Sequence, residues 1–223
     1  MLYYDEHYFD KYHRGYSFAK MRPYFSVIAK TLTRMFKPQQ MLDVGCAKGY
    51  LVHIFREFGV DSYGIDISEY ALSSAPEEVQ GNLLKVNIDH ERLPFESGVF
   101  DLITCLDVVE HLTNNDQAIS EMRRVLKTDG ALYISVPSKL ADSLLGIIAA
   151  RDPSHINIRS KDSWIETLDI LGFRYAGEFP RAERKEARVL SLQHRWLPRL
   201  VAEVGRLPFI PNLRYDLIFK KRA

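Results

Sequence analysis

Cysteine is scarce in this chain. Only Cys46 and Cys105 occur among the 223 residues, and each is predicted near the end of a strand. Two cysteines in such positions provide neither a disulfide framework nor a Cys-rich metal site. The sequence therefore excludes the protein classes whose fold depends on disulfides or on a structural metal held by cysteines.

An excess of charge of one sign is also absent. Thirty lysines and arginines face 29 aspartates and glutamates, which gives a net charge of +1. A domain that binds nucleic acid usually carries a clear positive excess. Net charge therefore gives no reason to expect a nucleic acid as a partner, and a small-molecule partner is favoured.

Long hydrophobic runs are absent as well. The longest, residues 144–150, is far shorter than the about 20 residues that a membrane-spanning helix needs. No secretory signal, internal repeat or low-complexity linker is evident. We expect one cytoplasmic domain over residues 1–223, with an arm at 1–36, a core at 38–179, and an insertion helix and last strand at 180–223.

A predicted strand, turn and helix at residues 41–58 organise the chain. Gly45 and Gly49 suit a turn that needs positive φ or close approach to a ligand. Ala47 replaces the glycine that lets a pyrophosphate approach the backbone in a dinucleotide-binding turn. Asp43 makes the mouth of the turn acidic, which attracts a cationic amino group and repels a diphosphate. The turn therefore predicts a ligand with an amino-acid portion.

Asp43, Gly45, Ala47 and Gly49 together resemble the first motif of the class I S-adenosylmethionine-dependent methyltransferases, which usually have glycine where Ala47 stands. The resemblance covers roughly residues 38–179 and includes four motifs in the family's order. It implies S-adenosyl-L-methionine as the methyl donor and S-adenosyl-L-homocysteine as the product. The turn is then expected to hold the methionine part of the cofactor.

A second acid is expected to hold the cofactor's ribose. Asp66 ends the second predicted strand, 23 positions after Asp43. One strand, one turn and one helix return the chain to the same edge of a parallel sheet, where a carboxylate can accept both ribose hydroxyls.

The resemblance also assigns a residue to adenine. Asp89 stands four residues before the Leu-Pro-Phe of residues 93–95, a position where the family has an acid for the adenine amino group, and Ile88 and His90 would flank the purine. The full set of expected cofactor-binding residues is Asp43, Gly45, Cys46, Ala47, Gly49, Asp66, Ile67, Ile88, Asp89 and Leu106.

The predicted fold is a doubly wound α/β domain. As in the family it resembles, the sheet is expected to have seven mostly parallel strands, with the last antiparallel, together with an N-terminal helical arm and lid insertions. Further strands are predicted at 62–66, 83–88, 99–106, 131–136, 173–179 and 214–220, and helices at 17–36, 113–127 and 161–171. Asp129 and Gly130 are expected to separate a helix from the fifth strand.

Three polar side chains, those of His155, Asp107 and His111, are the predicted catalytic residues. Asp107, Glu110 and His111 follow the fourth strand and resemble the family's fourth motif, while His155 lies in the predicted lid at 138–160. His155 is the first candidate for a general base because an imidazole can accept a proton at neutral pH, and Asp107 and His111 are the next candidates. A purely structural histidine is equally compatible. Some methyltransferases bind magnesium through a related set, but hard ions usually need more carboxylates, so no metal is expected.

Two segments allow two interpretations each. Tyr12 or Tyr16 in the arm either closes the cofactor site or packs at the sheet edge. The insertion at 182–204 forms either a phosphate-reading surface or a solvated helix face, and its interspersed glutamates favour the second. Its basic residues, beside Trp196, are Arg184, Lys185, Arg188, Arg195 and Arg199.

Three functions compete at this point. The leading one is methyl transfer to an oxygen or nitrogen of a small molecule, because the lid is apolar and the chain has no charge bias. The second is methylation of RNA or protein. The third is a non-catalytic domain that binds the cofactor to sense it or to dock a partner.

Overall fold

The computed structural model describes residues 4–8, 16–138, 154–192 and 214–222. The predicted hydrophobic helix at 140–148 lies outside these residues, as do Tyr12, Arg195, Trp196 and Arg199. Within the described ranges, no helix is both long and apolar enough to cross a membrane.

The strands and helices alternate along the chain, as a doubly wound fold requires. The strands are β1 (Gln40–Val44), β2 (Asp61–Asp66), β3 (Leu83–Lys85), β4 (Phe100–Leu106), β5 (Leu126–Pro137), β6 (Phe173–Glu178) and β7 (Arg214–Lys221). The helices are α1 (Phe18–Phe36), α2 (Tyr50–Glu57), α3 (Glu69–Ser73), α4 (Glu77–Gln80), α5 (Asn115–Val125), α6 (Lys161–Ile170) and α7 (Arg181–Leu192), and a 3-10 turn spans Val109–His111.

The strands form one sheet in the order β3-β2-β1-β4-β5-β7-β6. Strand β7 runs antiparallel to both β5 and β6, and the other pairs are parallel. The predicted seven-stranded sheet with an antiparallel last strand is therefore confirmed. The chain reverses its direction of winding between β1 and β4, and ligands of such sheets bind at the carboxyl ends of the strands beside this point.

The strand predictions needed two corrections. The third strand was predicted over 83–88 but ends at Lys85, because β3 is an edge strand that pairs only with β2, and Leu84 and Lys85 are exposed. Asp129 and Gly130 do not separate α5 from β5, since the helix ends at Val125 and the strand begins at once with buried Leu126. The pair instead lies inside β5, where the register with β4 is irregular and Asp129 has a φ of +59°.

Apolar side chains fill both faces of the sheet. On one face, α1 and α2 pack through Ile28, Leu32 and Phe55 against Tyr133 of β5. The other face is covered by α5 and α6, and Trp164 of α6 is fully buried there. Because both faces are covered, the central strands consist of nearly continuous apolar residues, as the sequence predicted for 99–106.

The helix α6 provides a matched pair of substitutions. Trp164→Ala is expected to lower the free energy of unfolding by about 3–5 kcal/mol, because it removes a fully buried aromatic side chain and leaves a cavity. Ile170→Ala in the same helix is expected to change it by no more than about 0.5 kcal/mol, because 77% of that side chain is exposed. Urea unfolding of both variants measures the difference, and equal losses would contradict the placement of α6.

Candidate functional site

The glycine-rich turn is fixed to β2 by hydrogen bonds. The backbone N–H groups of Gly45 and Cys46 both donate to the carbonyl of Ile65, at 2.8 and 2.9 Å. The Ala47 N–H donates to the Asp66 carboxylate at 2.7 Å, and the other oxygen of Asp66 accepts the Ser68 N–H at 2.8 Å. The turn after β1 and the end of β2 therefore form one rigid unit.

The turn contains three residues with positive φ: Gly45 at +74°, Ala47 at +48° and Gly49 at +65°. The sequence predicted this conformation for the glycines but not for Ala47. Gly45 is also required by the protein itself, because a Cβ there would lie 2.1 Å from Cγ2 of Val108. The sequence predicted that the lack of a side chain at Gly45 would let a ligand approach the backbone. In the structure, the side chain of Val108, which follows β4, lies close to Gly45 instead.

Asp43 is a buried carboxylate at the end of β1. Its Oδ1 accepts a hydrogen bond from the Thr104 hydroxyl at 2.6 Å, and its side chain is 4% exposed. Burial raises the pKa of Asp43 to about 7; the bond from Thr104 acts to lower it and the negative charge of Asp66 adds to the increase. Burial also raises the pKa of Asp66. A cationic ligand beside this pair would stabilise the ionised forms.

The arm lies against this acidic pair. The Tyr16 ring stacks on Tyr50 with centroids 5.1 Å apart. Burial raises the pKa of the Tyr16 hydroxyl, and Asp43 and Asp66 add to the increase, which places the phenol among the predicted cofactor ligands. Tyr16 therefore packs as an aromatic residue against Tyr50, and its closure of the cofactor site stays a prediction.

The beginning of the arm contacts both sides of the turn. Tyr4 accepts a hydrogen bond from the Ser68 hydroxyl through its carbonyl, and its ring lies 6.2 Å from that of His111. Tyr8 is buried in a cluster that includes Ala47 and Tyr70. Residues 4–8 thus connect the end of β2 with the turn after β4.

Asp89 has protein partners in this structure. Its carboxylate accepts the N–H and hydroxyl of Thr113 at 3.1 and 2.6 Å and the N–H of Asn114 at 2.7 Å. Partial burial acts to raise the pKa of Asp89, but these bonds together hold it below its usual range. Asp89 therefore caps the loop before α5, and its predicted contact with adenine stays a prediction that would use its remaining acceptor capacity.

The other predicted cofactor residues occupy different environments. Ile88 is buried, Leu106 is half-buried and Ile67 is exposed at the end of β2. The Cys46 side chain packs against Val52 and Val79 in the layer below the turn. Cys46 therefore takes part in the turn through its backbone N–H, while its thiol belongs to the apolar packing.

The catalytic candidates cluster beyond the end of β4. His111 and His155 lie next to each other, with ring centroids 4.8 Å apart. Asp107 has a φ of +56° and forms an ion pair with Arg214, the first residue of β7. The structure therefore brings together the two histidines, 44 positions apart, while it gives Asp107 a cationic partner.

Glu110 lies fully buried beneath this cluster. Burial raises the pKa of its carboxyl well above the usual range, and the negative charge of Asp107 adds to the increase, while Arg214 acts to lower it. The backbone carbonyl of Glu110 accepts the N–H groups of Ile156 and Asn157 at 3.0 and 2.9 Å. The segment that carries His155 is therefore attached to the turn that carries Glu110.

The sequence did not indicate several residues of the site. Thr104 is a polar residue within an apolar strand, a signal that could have identified it as the partner of Asp43. Arg214 donates to Ser135 as well as to Asp107, yet it stands far from both along the chain. No local pattern predicts such a contact.

The interpretation of residues 182–204 needs a correction at Arg184. Neither a phosphate-reading surface nor a solvated face fits this residue, because it is only 8% exposed. Its guanidinium pairs with Glu178 at 2.6 Å and with Asp216 at 3.5 Å, so it joins α7 to β6 and β7. Lys185 is exposed, as predicted.

Comparison with known proteins identifies relatives of the described core. Residues 42–134 match the family model for a methyltransferase domain. The chain is 32% identical over 120 residues to a ubiquinone biosynthesis O-methyltransferase of Glaesserella parasuis, which covers 49% of this chain and 50% of that protein. It is 35% identical over 104 residues to a norajmaline N-methyltransferase of Rauvolfia serpentina, which covers 44% of this chain and 36% of that protein. The chain thus spans half the length of these curated relatives or less.

The fold also has a counterpart among solved structures. A SAM-dependent methyltransferase from Archaeoglobus fulgidus superimposes with a TM-score of 0.62 at 21% identity, over 97% of this chain and 100% of that one. At this level of identity the likeness shows the fold, which is the Rossmann-like fold predicted from the sequence.

The positive φ of Ala47 leads to a stability prediction. Ala47→Gly is expected to leave the free energy of unfolding unchanged or raise it by up to about 1 kcal/mol, because glycine adopts this conformation without strain while gaining freedom in the unfolded chain. Ala29→Gly within α1 should instead cost at least about 1 kcal/mol. Chemical unfolding compares the two, and a loss at Ala47 as large as that at Ala29 would contradict the assigned backbone.

The buried Asp43 leads to a pH prediction. S-adenosylhomocysteine is expected to bind more tightly as pH rises toward about 7, because its ammonium group pairs with the ionised carboxyl, whose pKa is about 7. The affinity gain approaches about tenfold per pH unit below that pKa. Asp43→Asn should weaken binding and make the affinity depend less on pH. Ionisation of Asp66 accounts for the pH dependence that remains. Thr104→Val should move the midpoint of the affinity increase to higher pH, because the hydrogen bond from Thr104 acts to lower the pKa of Asp43.

Ionisation of Asp43 has the opposite effect on the stability of the ligand-free protein. Because the pKa of Asp43 is higher in the folded than in the unfolded chain, its contribution to stability is lost as pH rises from about 4 to about 7. Isothermal titration calorimetry across this range tests the binding statement, and chemical unfolding of the ligand-free protein at each pH tests the stability statement. A pH-independent affinity of the wild-type protein would contradict the role of Asp43.

Proposed function

We propose that this chain, which belongs to the class I S-adenosylmethionine-dependent methyltransferases, moves a methyl group to an oxygen or nitrogen atom of a small-molecule acceptor. The observation that carries the proposal is the pair of carboxylates, Asp43 and Asp66, at the ends of adjacent strands and joined by the turn between them. The O- and N-methyltransferase relatives support the two acceptor atoms.

The residues of the site fit S-adenosylmethionine. Asp43 is suited to the cofactor's ammonium group because it is a buried carboxyl with a raised pKa. Asp66 is suited to the ribose hydroxyls, since each of its oxygens accepts one backbone N–H and retains a second lone pair. Asp89, beside buried Ile88, is assigned to adenine.

The cofactor, when bound, supplies an activated methyl group on a sulfonium ion. The chain then has to align the acceptor with that group and exclude water, effects that contribute up to about 7–11 kcal/mol in well-oriented reactions. The arm serves the second purpose, because Tyr4, Tyr8 and Tyr16 pack around the turn.

We assign proton removal from the acceptor to His155, with His111 beside it. The 4.8 Å separation of the two rings lets one imidazole orient the other. Asp107 is the weaker candidate, because its ion pair with Arg214 stabilises the carboxylate and makes it a poorer base. His155 and His111 are both half-buried.

A substitution at Asp66 tests the proposal. Asp66→Asn is expected to weaken S-adenosylhomocysteine binding by about 10–100-fold, because one acceptor for the ribose hydroxyls and for the Ala47 N–H is lost. Glu69→Gln, a substitution on the exposed side of α3, is the matched control and should leave binding unchanged. Isothermal titration calorimetry measures both, and the absence of any heat with the wild-type protein would refute the proposal.

The acceptor class is tested separately. The purified protein is mixed with S-adenosylmethionine and a panel of phenols, hydroxy acids and amines, and S-adenosylhomocysteine is quantified. Turnover that falls in His155→Ala supports a small-molecule enzyme. Cofactor binding without turnover, unchanged in His155→Ala, would favour a non-catalytic domain. Tight, salt-sensitive binding of RNA would favour the nucleic-acid alternative, although burial of Arg184 removes one of the cations expected for it.

A further inference from the structure

Three potential metal ligands meet beyond the end of β4. Glu110, His111 and His155 each place one ligand atom within 4.8 Å of the others. The first two belong to the 3-10 turn at residues 109–111, and the third comes from the segment that follows β5. The set lies next to the predicted cofactor site but contains none of the residues expected to hold the cofactor.

The carboxylate of Glu110 sets this cluster apart from an ordinary group of surface residues. Its side chain is 0% exposed and has the Asp107 carboxylate beside it, and among the described residues neither of its oxygens forms a hydrogen bond of good geometry. A buried polar group without partners costs free energy, and a buried carboxylate costs more than a neutral group. A cation at this position would supply the missing interaction.

The surrounding contacts hold the two histidines in place. Ser154 Oγ lies 2.8 Å from Nδ1 of His111, a contact of the kind that fixes the tautomer and orientation of a ligating imidazole. The N–H groups of Ile156 and Asn157 donate to the Glu110 carbonyl at 3.0 and 2.9 Å. His155, which lies between these anchors, is thereby kept beside Glu110 and His111.

We propose that Glu110, His111 and His155 bind one divalent transition-metal ion. Two imidazoles and one carboxylate suit Zn²⁺, Co²⁺, Fe²⁺ or Mn²⁺, whereas Mg²⁺ and Ca²⁺ prefer ligand sets made of oxygen atoms. Three ligands leave open positions on the ion for water or substrate. Arg214 is a nearby cation, but its ion pair with Asp107 offsets its repulsion of a metal ion.

The geometry requires only a small contraction. Ligand atoms that lie about 2.0–2.2 Å from one ion are about 3–4 Å from one another. The present separations of up to 4.8 Å therefore have to close by about 1–2 Å, which rotations of the three side chains can supply. The two imidazoles are tilted by 59° rather than stacked, so both can turn a nitrogen toward one point.

The inference also bears on the proposed reaction, and in this respect it depends on the proposed function. A bound ion lowers the pKa of a coordinated hydroxyl group or water molecule. With an ion in place, His155 would serve as a ligand and the metal would assist proton removal from an acceptor hydroxyl; without an ion, His155 acts as the base assigned above. An oxygen acceptor is then favoured over a nitrogen one.

Metal binding can be measured without any activity assay. The full chain is treated with a chelator, dialysed, and titrated with Zn²⁺ by calorimetry and with Co²⁺ by absorption spectroscopy, with Mg²⁺ in parallel. We expect one ion per chain, Co²⁺ d–d bands typical of nitrogen and oxygen ligands, and affinity for Mg²⁺ at least about 100-fold lower. Failure of Zn²⁺ and Co²⁺ to bind, or equal binding of Mg²⁺, would overturn the inference.

Two variants locate the ion. Glu110→Gln and His155→Gln should each reduce Zn²⁺ affinity by at least about 100-fold, since loss of an outer-shell partner alone typically costs about 10–100-fold. The control is His53→Gln, because His53 pairs with Glu57 at 3.4 Å in α2 and forms another histidine–carboxylate contact. Its Zn²⁺ affinity should equal that of the wild type, and loss of binding in His53→Gln alone would place the ion elsewhere.

Binding of S-adenosylhomocysteine keeps the two proposals separable. Each variant should bind this ligand as the wild type does, which also verifies that it is folded. Metal binding without any ligand heat would leave the metal site standing and refute the proposed function. Heat from S-adenosylhomocysteine binding without any metal binding would leave the proposed function standing and refute the metal site.

Discussion

The hydrogen bond from the Ala47 N–H to the Asp66 carboxylate is the contact on which the site depends. It joins the turn after β1 to the end of β2, and the bonds from Gly45 and Cys46 to Ile65 strengthen the same connection. The turn takes its shape from these bonds, which hold even Ala47 at positive φ. Because Asp66 shapes the turn and is also the residue proposed to bind the ribose, a change in its charge would alter the turn and the proposed ligand site together.

This arrangement places two acids in a confined space. Asp43 and Asp66 each have a raised pKa because burial disfavours their charged forms, and Asp66 raises that of Asp43 further. The folded chain thus carries an electrostatic cost, which the ammonium group and ribose hydroxyl groups of the proposed cofactor would reduce. Such a site gains affinity from relief of its own repulsion, which is a common way for functional sites to hold groups that do not favour folding.

The sequence predicted those parts of the molecule that follow from local patterns. The individual strands, the acid at the end of each of the first two and the turn between them follow from periodicity, glycine spacing and the geometry of parallel sheets. The number of strands and the antiparallel last strand were implied by the family resemblance. Contacts between distant segments have no such signal. His155 meets Glu110 across 45 positions, and Arg184 folds inward to Glu178 and Asp216 although its neighbours are charged and exposed. These pairings depend on how the layers pack, which no window of sequence contains.

The antiparallel last strand explains how the acidic residues beyond β4 are tolerated. Strand β7 lies between β5 and β6 and begins at Arg214, whose guanidinium contacts Asp107 and Ser135. Burial acts to lower the pKa of Arg214, but the attraction of Asp107 and Asp216 raises it, so the residue stays cationic. One fixed cation therefore compensates Asp107, while Glu110 beneath it is left without a hydrogen-bond partner among the described residues. The final strand thus completes the sheet and also neutralises Asp107, one of the two carboxylates beyond β4.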